Sequence, residues 1–402
     1  MNAIILASGK GTRMQPWTNN KNKVMFKVDG KPLLQHHIEN LLRIGVKQIF
    51  ITTWWKSEEI EFQFKHFQEV IFFKEGSLNG SGTAVNQIML LYSLKKTIII
   101  YGDTYYDTYY YQLIKLLYKK KKNFIIVDNW NCNDKNGLIK YTSDDFKILE
   151  IKENGFSDQI LPEISIGKNI GLLIINLSLL YVSKLSTGDL MNSVLKTYLN
   201  SEGIKNLYVF PIFSTKKNVW CDIGQINIFI QFILDRYDNE TINSLIKYPR
   251  ERTTFIQFAK KILLAKRIFL AGNGGSLSTA QHLALDWSKV GGKNAIALGE
   301  ASVLTAYGND EGYDNVFLKQ LKCFSIDEND VIVLISGSGN SPNICKVIQK
   351  YPDNVIGMTG QTGYLLCNCK LTLPVPSENI RVIEDAHLAY GHAITEIMDG
   401  LN

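Results

Sequence analysis

At 402 residues, 45% of them hydrophobic and 20% charged, the chain is too long for one common core and has the balance of a globular protein, so two or three domains are expected. Its formal charge of +6 is spread along the chain, and the densest run, Lys119 to Lys122, reads as a solvated helix end, so no nucleic-acid partner is expected. The 6 cysteines include no C-x-x-C pair, which argues against a disulfide framework or a cysteine zinc site and predicts reduced, mostly buried thiols.

Ala3 to Leu6 is an apolar run of buried-strand length that enters a loop with glycines at 9 and 11. Such a loop belongs at the carboxyl end of a parallel strand, where open α/β sheets bind ligands. Small residues let backbone N–H groups approach a polyphosphate, and Arg13 and Lys23 add charges that can hold phosphates through a transfer. The stretch therefore reads as a nucleoside triphosphate site. A dinucleotide fingerprint fails on spacing because Met14 stands where its third glycine belongs, and a Walker loop fails because no G-K-[ST] occurs here. No basic region precedes the apolar residues, so no signal peptide is expected.

Pro32 to Ile44 has helical spacing, and Gln48 to Thr53, Val70 to Phe73, Thr97 to Tyr101 and Phe124 to Val127 are strand-length apolar runs separated by helix-length segments. That alternation predicts a parallel sheet with helices on both faces. Thr97 to Tyr101 ends in Gly102-Asp103, and a carboxylate just past a central strand can hold Mg²⁺ against phosphate oxygens. Gly137 to Tyr141 and Lys147 to Lys152 alternate as a hairpin does. The longest apolar stretch, Ile170 to Val182, is interrupted by Asn176 and Ser178 and is too short to span a bilayer, so a cytoplasmic protein without a membrane partner is expected.

Leu6-Ala7-Ser8-Gly9-Lys10-Gly11-Thr12-Arg13-Met14-Gln15-Pro16-Trp17-Thr18, then Lys23, then Gly30-Lys31-Pro32-Leu33-Leu34, resembles the signature of the sugar nucleotidyltransferases, L-A-x-G-x-G-T-R-(M/L)-x-P-x-T followed by P-K and G-K-P-L-L. The likeness covers roughly residues 1 to 235 and implies a Rossmann-like, GT-A-like mixed sheet. It implies nucleotide binding by Leu6, Ala7, Gly9, Gly11 and Thr12, and by Gly82 and Thr83 of a G-T-A segment that approaches base and ribose. It also implies that Asp103 and Asp222, the latter in a D-I-G segment, form the Mg²⁺ pair, and that Glu153 meets the sugar phosphate. Two positions depart from the pattern: Asn154 replaces a lysine that contacts the sugar phosphate, and Asn22 replaces the proline before Lys23.

Asp235 to Arg252 is polar and lacks a strand run, which places the boundary near 238 and gives domains of 1–238 and 239–402. Ile242 to Lys266 reads as helix, Arg267 to Ala271 as a strand entering Gly272-Asn273-Gly274-Gly275-Ser276, and Ser278 to Lys289 as helix. Asp330 to Ile335 is another strand, entering Ser336-Gly337-Ser338-Gly339-Asn340-Ser341-Pro342. Both loops pair small residues with a helix start, a combination that binds phosphate through free N–H groups, hydroxyls and the helix dipole. Ser341 and Pro342 alone also suit a plain helix entry.

A carboxylate or an imidazole held beside a bound phosphate ester can carry a proton. His282 and Asp286 are four apart and share a helix face, while Glu384 and His392 on the last helix lie about 80° apart. Two histidines and two carboxylates are plausible zinc ligands. A lone histidine on a helix is usually a core or surface residue, and His387 divides evenly between such a role and a functional one.

GNGGS, Gln281-His282, Gly308-Asn309-Asp310, SGSGNS, Ile383-Glu384-Asp385-Ala386-His387 and Gly391-His392 occur in the order found in sugar isomerase (SIS) domains, and the segment resembles the sedoheptulose 7-phosphate isomerases over roughly residues 250 to 402. The resemblance implies a doubly wound parallel sheet and homo-oligomerisation through this domain. It implies phosphosugar contacts from Asn273, Gly274, Gly275, Ser276, Asn309, Asp310, Ser336, Gly337, Ser338, Ser341 and Glu384. It further implies catalysis by Asp286 and His392, and Zn²⁺ ligation by His282, Asp286, Glu384 and His392, although Asp286 occupies a usual glutamate position and Glu384 a usual glutamine position.

The combined expectation is a bifunctional enzyme using nucleoside triphosphate and sugar phosphates, with Arg13, Lys23, Asp103 and Asp222 serving nucleotidyl transfer. If both steps share a pathway, the sugar is heptose and the nucleotide GTP. The rival expectations are transfer to another sugar 1-phosphate by a unit fused to an isomerase of a different phosphosugar, and an SIS domain that binds phosphosugar as a regulatory module.

Overall fold

Strand β1 (Asn2–Leu6) has apolar residues on both faces, and its period of two sends Ala3 and Ile5 into one core and Ile4 into another. The first core is closed by Leu34, Ile38, Tyr110 and Ile114, the second by Val85, Ile88 and Met89, so helices cover both faces of the sheet as the alternation predicts. This computed structural model describes residues 1–77, 79–120, 122–129, 138–152, 164–176, 189–190, 195, 207–212 and 219–402. The chain divides into two compact units, Met1–Phe229 and Ile230–Asn402. The division falls inside the helix Ile226–Arg236, ahead of the polar segment that marked it in the sequence.

In the first unit β1 pairs in parallel with β2 (Gln48–Thr53) and with β4 (Lys96–Tyr101), and β3 (Val70–Lys74) pairs in parallel with β2. The expected parallel sheet stops at β4. Its next neighbour is not Asn123–Asp128 but the 13-residue strand Ile164–Asn176, which runs antiparallel to both. The same strand pairs antiparallel with Leu138–Thr142, which forms the predicted hairpin with Ile148–Lys152. The sheet is therefore mixed, as the nucleotidyltransferase resemblance implied, and most of the long apolar stretch is a central strand. Residue 153 lies outside the described residues, and so does the expected role of Glu153.

The second unit holds five parallel strands, in the spatial order Asn294–Ala297, Arg267–Gly272, Asp330–Ser336, Val355–Gly360 and Thr372–Val375. Starting inside the sheet and winding to both sides makes it doubly wound. Phe269, Ile332 and Leu334 pack on one face with Phe317, Ile344 and Val347, while helices Pro249–Leu264, Gly275–Lys289 and Ile380–Leu401 cover the other. The single helix expected over 242–266 is two, Glu240–Leu245 and Pro249–Leu264. Pro249 explains the break: it takes the first helical position and forces Tyr248 into extended backbone, φ −94° and ψ 153°.

Among the described residues no helix is long and apolar enough to cross a membrane. The expectation of mostly buried thiols fails for Cys221, Cys323, Cys345, Cys367 and Cys369, all free and none fully buried; Cys323 and Cys367 stand at helix ends outside the core.

Candidate active sites

The glycine loop after β1 opens onto a cavity of about 400 Å³ lined by Leu6, Ala7, Gly9, Lys23, Glu75 and Asp103 among others. Asn22 positions the lysine. Its side-chain oxygen accepts the Val24 N–H at 3.1 Å, starting the turn Lys23–Met25, while its amide donates to Ala7 O at 3.0 Å and Trp55 O at 2.8 Å. An asparagine in place of the pattern's proline thus ties three segments together. Lys23, itself buried, ion-pairs with Asp103.

Asp103 follows Gly102, whose N–H donates to Leu6 O at 2.9 Å and whose carbonyl lies 3.2 Å from Nε2 of buried His37. Burial pushes the Asp103 carboxyl up, but the charge and hydrogen bond of Lys23 outweigh this and hold it below the usual carboxylate range. Asp222 is placed beside it because Trp220–Asp222 pairs antiparallel with Thr104–Tyr106, Asp222 opposite Thr104. Burial and then the Asp103 charge raise the Asp222 carboxyl, against the pull of Lys23, Arg13 and Lys168. Arg13 reaches the same point: a Cβ on Gly224 would stand 2.9 Å from Asp222 Oδ1 and 3.2 Å from Arg13 Nη2. The structure brings Arg13, Lys23, Asp103 and Asp222 together. Thr12 is exposed at the start of a short helical turn, and Gly11 accepts the Thr18 hydroxyl at 2.8 Å. Gly80 and Ser81 line the cavity, while Gly82 and Thr83 follow in the first turn of helix Ser81–Leu91.

In the second unit Asn273, at the end of the strand Arg267–Gly272, exchanges two hydrogen bonds with Asn343, each 3.0 Å, and accepts the Tyr313 hydroxyl at 3.1 Å. Asn343 is buried one residue after Pro342, so this amide pair ties the two small-residue loops to each other. Ser336 Oγ accepts the Gly339 N–H at 3.1 Å and Ser338 Oγ the Asn340 N–H at 3.3 Å, leaving each hydroxyl hydrogen for a ligand. Ser341 stands at the N-cap of Pro342–Lys350 but its side chain caps nothing. The plain helix-entry role is therefore not what its hydroxyl does. Asn309 and Asp310 are exposed near the end of helix Ala301–Glu311 and bond each other at 2.8 Å.

His282 and Asp286 on helix Gly275–Lys289 meet His392 on helix Ile380–Leu401. The two Nε2 atoms are 3.0 Å apart, and Asp286 Oδ2 lies 3.4 Å from that of His282 and 4.0 Å from that of His392. Burial, then the His282 charge, lower the His392 pKa against the opposing pull of Asp286, favouring the neutral imidazole. All three donor atoms lie within 4.8 Å of one another, and among the described residues this is the group suited to a metal ion. Glu384 is not in it. Its carboxylate lies over the GNGGS loop, where a Cβ on Gly275 would stand 2.5 Å from Oε1. Gly274 and Gly275 form the entry of this helix, and Ser276 is buried behind it.

The sequence matches the Nucleotidyl transferase family over residues 2–238 and the SIS domain family over residues 256–360. It is 37% identical over 142 residues to the phosphoheptose isomerase of Solidesulfovibrio magneticus, covering 33% of this chain and 69% of that protein. It is 35% identical over 175 residues to that of Aliarcobacter butzleri, covering 40% and 90%. The chain belongs to the nucleotidyl transferase and phosphoheptose isomerase families. Solved structures similar to it include HddC from Yersinia pseudotuberculosis, 23% identical with a TM-score of 0.46 over 57% of this chain and 96% of that one. Another is phosphoheptose isomerase GmhA from Neisseria gonorrhoeae, 31% identical with a TM-score of 0.36 over 42% and 99%.

The nucleotidyl transferase unit has cations at the mouth of a glycine loop and two carboxylates, which suits charge stabilisation in phosphoryl chemistry. The phosphoheptose isomerase unit has hydroxyls at a helix N-terminus and an imidazole–carboxylate group, which suits anion binding and proton transfer. Sequence reading missed His37, Glu75, Tyr313 and Asn343. The first two carried no motif; Asn343 was legible only as the residue after Pro342, since its partner lies 70 positions away.

Proposed function

We propose that this chain is a bifunctional enzyme of nucleotide-sugar biosynthesis. Its N-terminal unit transfers a nucleotidyl group to a sugar 1-phosphate, and its C-terminal unit interconverts sedoheptulose 7-phosphate and an aldose heptose 7-phosphate. One observation carries the reading: a single chain contains both families, each with its own converged set of charged and proton-carrying side chains.

In nucleotidyl transfer a phosphate oxygen of the sugar 1-phosphate bonds to the α-phosphorus, the α–β bridging bond breaks, and pyrophosphate leaves. Arg13 and Lys23 stabilise the charge that builds on the phosphate oxygens. Asp103 and Asp222 fit a divalent cation because the strand pairing brings two hard carboxylate donors to the same end of the cavity. They would hold Mg²⁺, which when bound would offset phosphate charge. With heptose as the common sugar, the first unit acts on heptose 1-phosphate with GTP.

In isomerisation Ser336, Ser338 and Ser341 hold the phosphate, and Asp286 or His392 removes the carbon-bound proton and returns it to the adjacent carbon. His282, Asp286 and His392 would hold Zn²⁺, which when bound would polarise the carbonyl oxygen. The enzyme is cytoplasmic, uses no nucleic acid, and assembles through its SIS unit. A screen of nucleoside triphosphates and sugar 1-phosphates for pyrophosphate release tests the first activity; conversion of sedoheptulose 7-phosphate tests the second.

The second reading, a phosphosugar-binding regulatory module fused to the transferase, is favoured by the position of Glu384 away from the His282–Asp286–His392 group. Isomerase turnover separates the two.

A further inference from the structure

We propose that His37 is a positioning residue of the N-terminal site: from the core it holds the carbonyl of Gly102 and so fixes the peptide that carries Asp103, an inference that rests on the nucleotidyl-transfer reading of the site. His37 stands on the helix Leu33–Arg43 and is fully buried, its ring packed near Tyr106 and Tyr111 with centroids 5.8 Å and 6.4 Å away. Leu34, Ile38 and Leu41 of the same helix belong to the apolar core. A polar ring in such surroundings costs free energy unless its nitrogens are bonded, and both are. Nε2 lies 3.2 Å from Gly102 O, and Nδ1 lies 2.6 Å from the Tyr111 hydroxyl.

A carbonyl oxygen only accepts, so Nε2 carries the hydrogen, Nδ1 is the acceptor, and Tyr111, on the helix Thr108–Tyr118, donates to it. Burial lowers the His37 pKa to about 3 and raises the Tyr111 phenol well above its ordinary value, so both groups are neutral and keep these roles at neutral pH.

Because the peptide is planar, a donor on the Gly102 carbonyl fixes the direction in which the chain enters Asp103. Gly102 is also held at its other end: its N–H donates to Leu6 O at 2.9 Å, and a Cβ on it would stand 2.7 Å from that oxygen. Beyond the side chain, the Asp103 carbonyl accepts the Ile223 N–H at 3.1 Å, one residue after Asp222. Three ties thus set where Asp103 stands relative to its partner carboxylate. Two are main-chain bonds that most sequences could make, and the third depends on the side chain at position 37. His37 is outside the cavity lining, so it acts through Gly102 and touches neither phosphate nor cation. Groups that orient a metal ligand in this way change metal affinity or activity by about 10- to 100-fold when removed.

The test is Mn²⁺ binding to the full chain, followed by the electron paramagnetic resonance of the free ion, beside pyrophosphate release measured against free Mg²⁺. Asp103→Asn reports the binding that is not at the carboxylate pair. His37→Leu keeps the bulk and loses both hydrogen bonds; it should weaken Mn²⁺ binding at the pair, and raise the Mg²⁺ needed for half-maximal rate, by about 10-fold or more. His37→Gln places an amide N–H where Nε2 stands and should recover most of that loss. His37→Asn reaches only the Nδ1 position, keeps a partner for Tyr111, and should behave as His37→Leu does. The Gln and Asn variants carry the test where His37→Leu fails to fold, because each retains one of the two bonds. A histidine that only fills the core would shift melting temperatures and leave both metal readings unchanged, which overturns the proposal while nucleotidyl transfer stands. Equal losses in His37→Gln and His37→Asn also overturn it, by removing the Gly102 bond as the cause. Identical Mn²⁺ binding by wild type and Asp103→Asn removes the metal pair and the proposal with it, while failure of wild type to release pyrophosphate from any nucleoside triphosphate and sugar 1-phosphate removes the transfer reading as well.

Discussion

The two units compensate their acidic groups in different ways. In the N-terminal unit Asp103 is buried beside Lys23, and a second carboxylate, Asp222, shares the same cation and Arg13. In the C-terminal unit Asp286 is half-exposed and faces two imidazoles, no lysine or arginine being paired with it among the described residues. Fixed charges suit a reaction in which phosphate negative charge must be held throughout. Imidazoles suit one in which a proton must leave and return. The difference shows how one chain can run phosphoryl and proton-transfer chemistry from side chains of overlapping type.

The comparison predicts that damage stays within a unit. Asp103→Asn removes half of the carboxylate pair and leaves Lys23 without its partner; pyrophosphate release should fall by at least about 10³-fold, with sedoheptulose 7-phosphate conversion unchanged in the same preparation. His392→Gln should lower isomerase kcat by about 10²-fold while phosphosugar binding persists, the pattern for loss of a general acid–base group. Equal loss of both activities in either variant would break the separation.

In the proposed isomerase reading, phosphate binding in the C-terminal unit rests on hydroxyls rather than side-chain cations. Ser338→Ala should therefore cost about 1.5–3 kcal/mol of phosphosugar affinity by calorimetry, with the circular dichroism spectrum unchanged. An unaltered affinity removes Ser338 from the site.

Each unit also buries one histidine that is not a member of its charged group. His37 is satisfied, its Nδ1 lying 2.6 Å from the Tyr111 hydroxyl. Neither ring nitrogen of His387 meets a partner at hydrogen-bond geometry, although the Thr359 backbone is close enough to offset part of the effect of burial. Burial lowers its pKa to about 4 from an ordinary 6.5. The unfolded chain therefore binds the proton more readily between those values, so this residue costs stability as pH falls below 6.5 and has little effect above it. From pH 6.5 to 5 the loss should be about 2 kcal/mol. His387→Leu should flatten that slope in thermal melts and leave stability at pH 7 unchanged or raised. An unchanged slope would show that another group titrates.

The smallest effect is expected at Asn22. Asn22→Ala should lower stability by about 1 kcal/mol in denaturant melts and raise the KM for nucleotide, since Lys23 loses its cap while keeping its charge. A change in stability alone would make Asn22 a scaffold residue only.

Much of this was legible in the sequence because it is local. The glycine loop, both small-residue loops and most strands follow from runs of neighbouring residues, and the structure brings together Lys23 with Asp103 and His282 with Asp286 and His392. What escaped was set by long-range pairing. Ile164–Asn176 carries no sign that it separates two strands of the same direction, and Glu75 carries no sign that Ser8, 67 positions earlier, will bond it. Glu384 was grouped with the histidines by helical spacing, yet its carboxylate lies over Gly275, because the approach of a second helix end decides where a half-exposed side chain points. His387 is a core residue, which spacing on a largely apolar helix could not tell from a functional one.

The most direct test of a chain with two independent activities is phosphorus NMR of the full-length protein. The sample would hold Mg²⁺, Zn²⁺, GTP, heptose 1-phosphate and sedoheptulose 7-phosphate in deuterated solvent, for wild type and for Asp103→Asn. Wild type should show a growing pyrophosphate signal together with conversion of the ketose phosphate, and the variant should lose only the pyrophosphate. Pyrophosphate formation in wild type with neither conversion of the ketose phosphate nor deuterium incorporation into it would contradict the account and leave the C-terminal unit as a regulatory binding module.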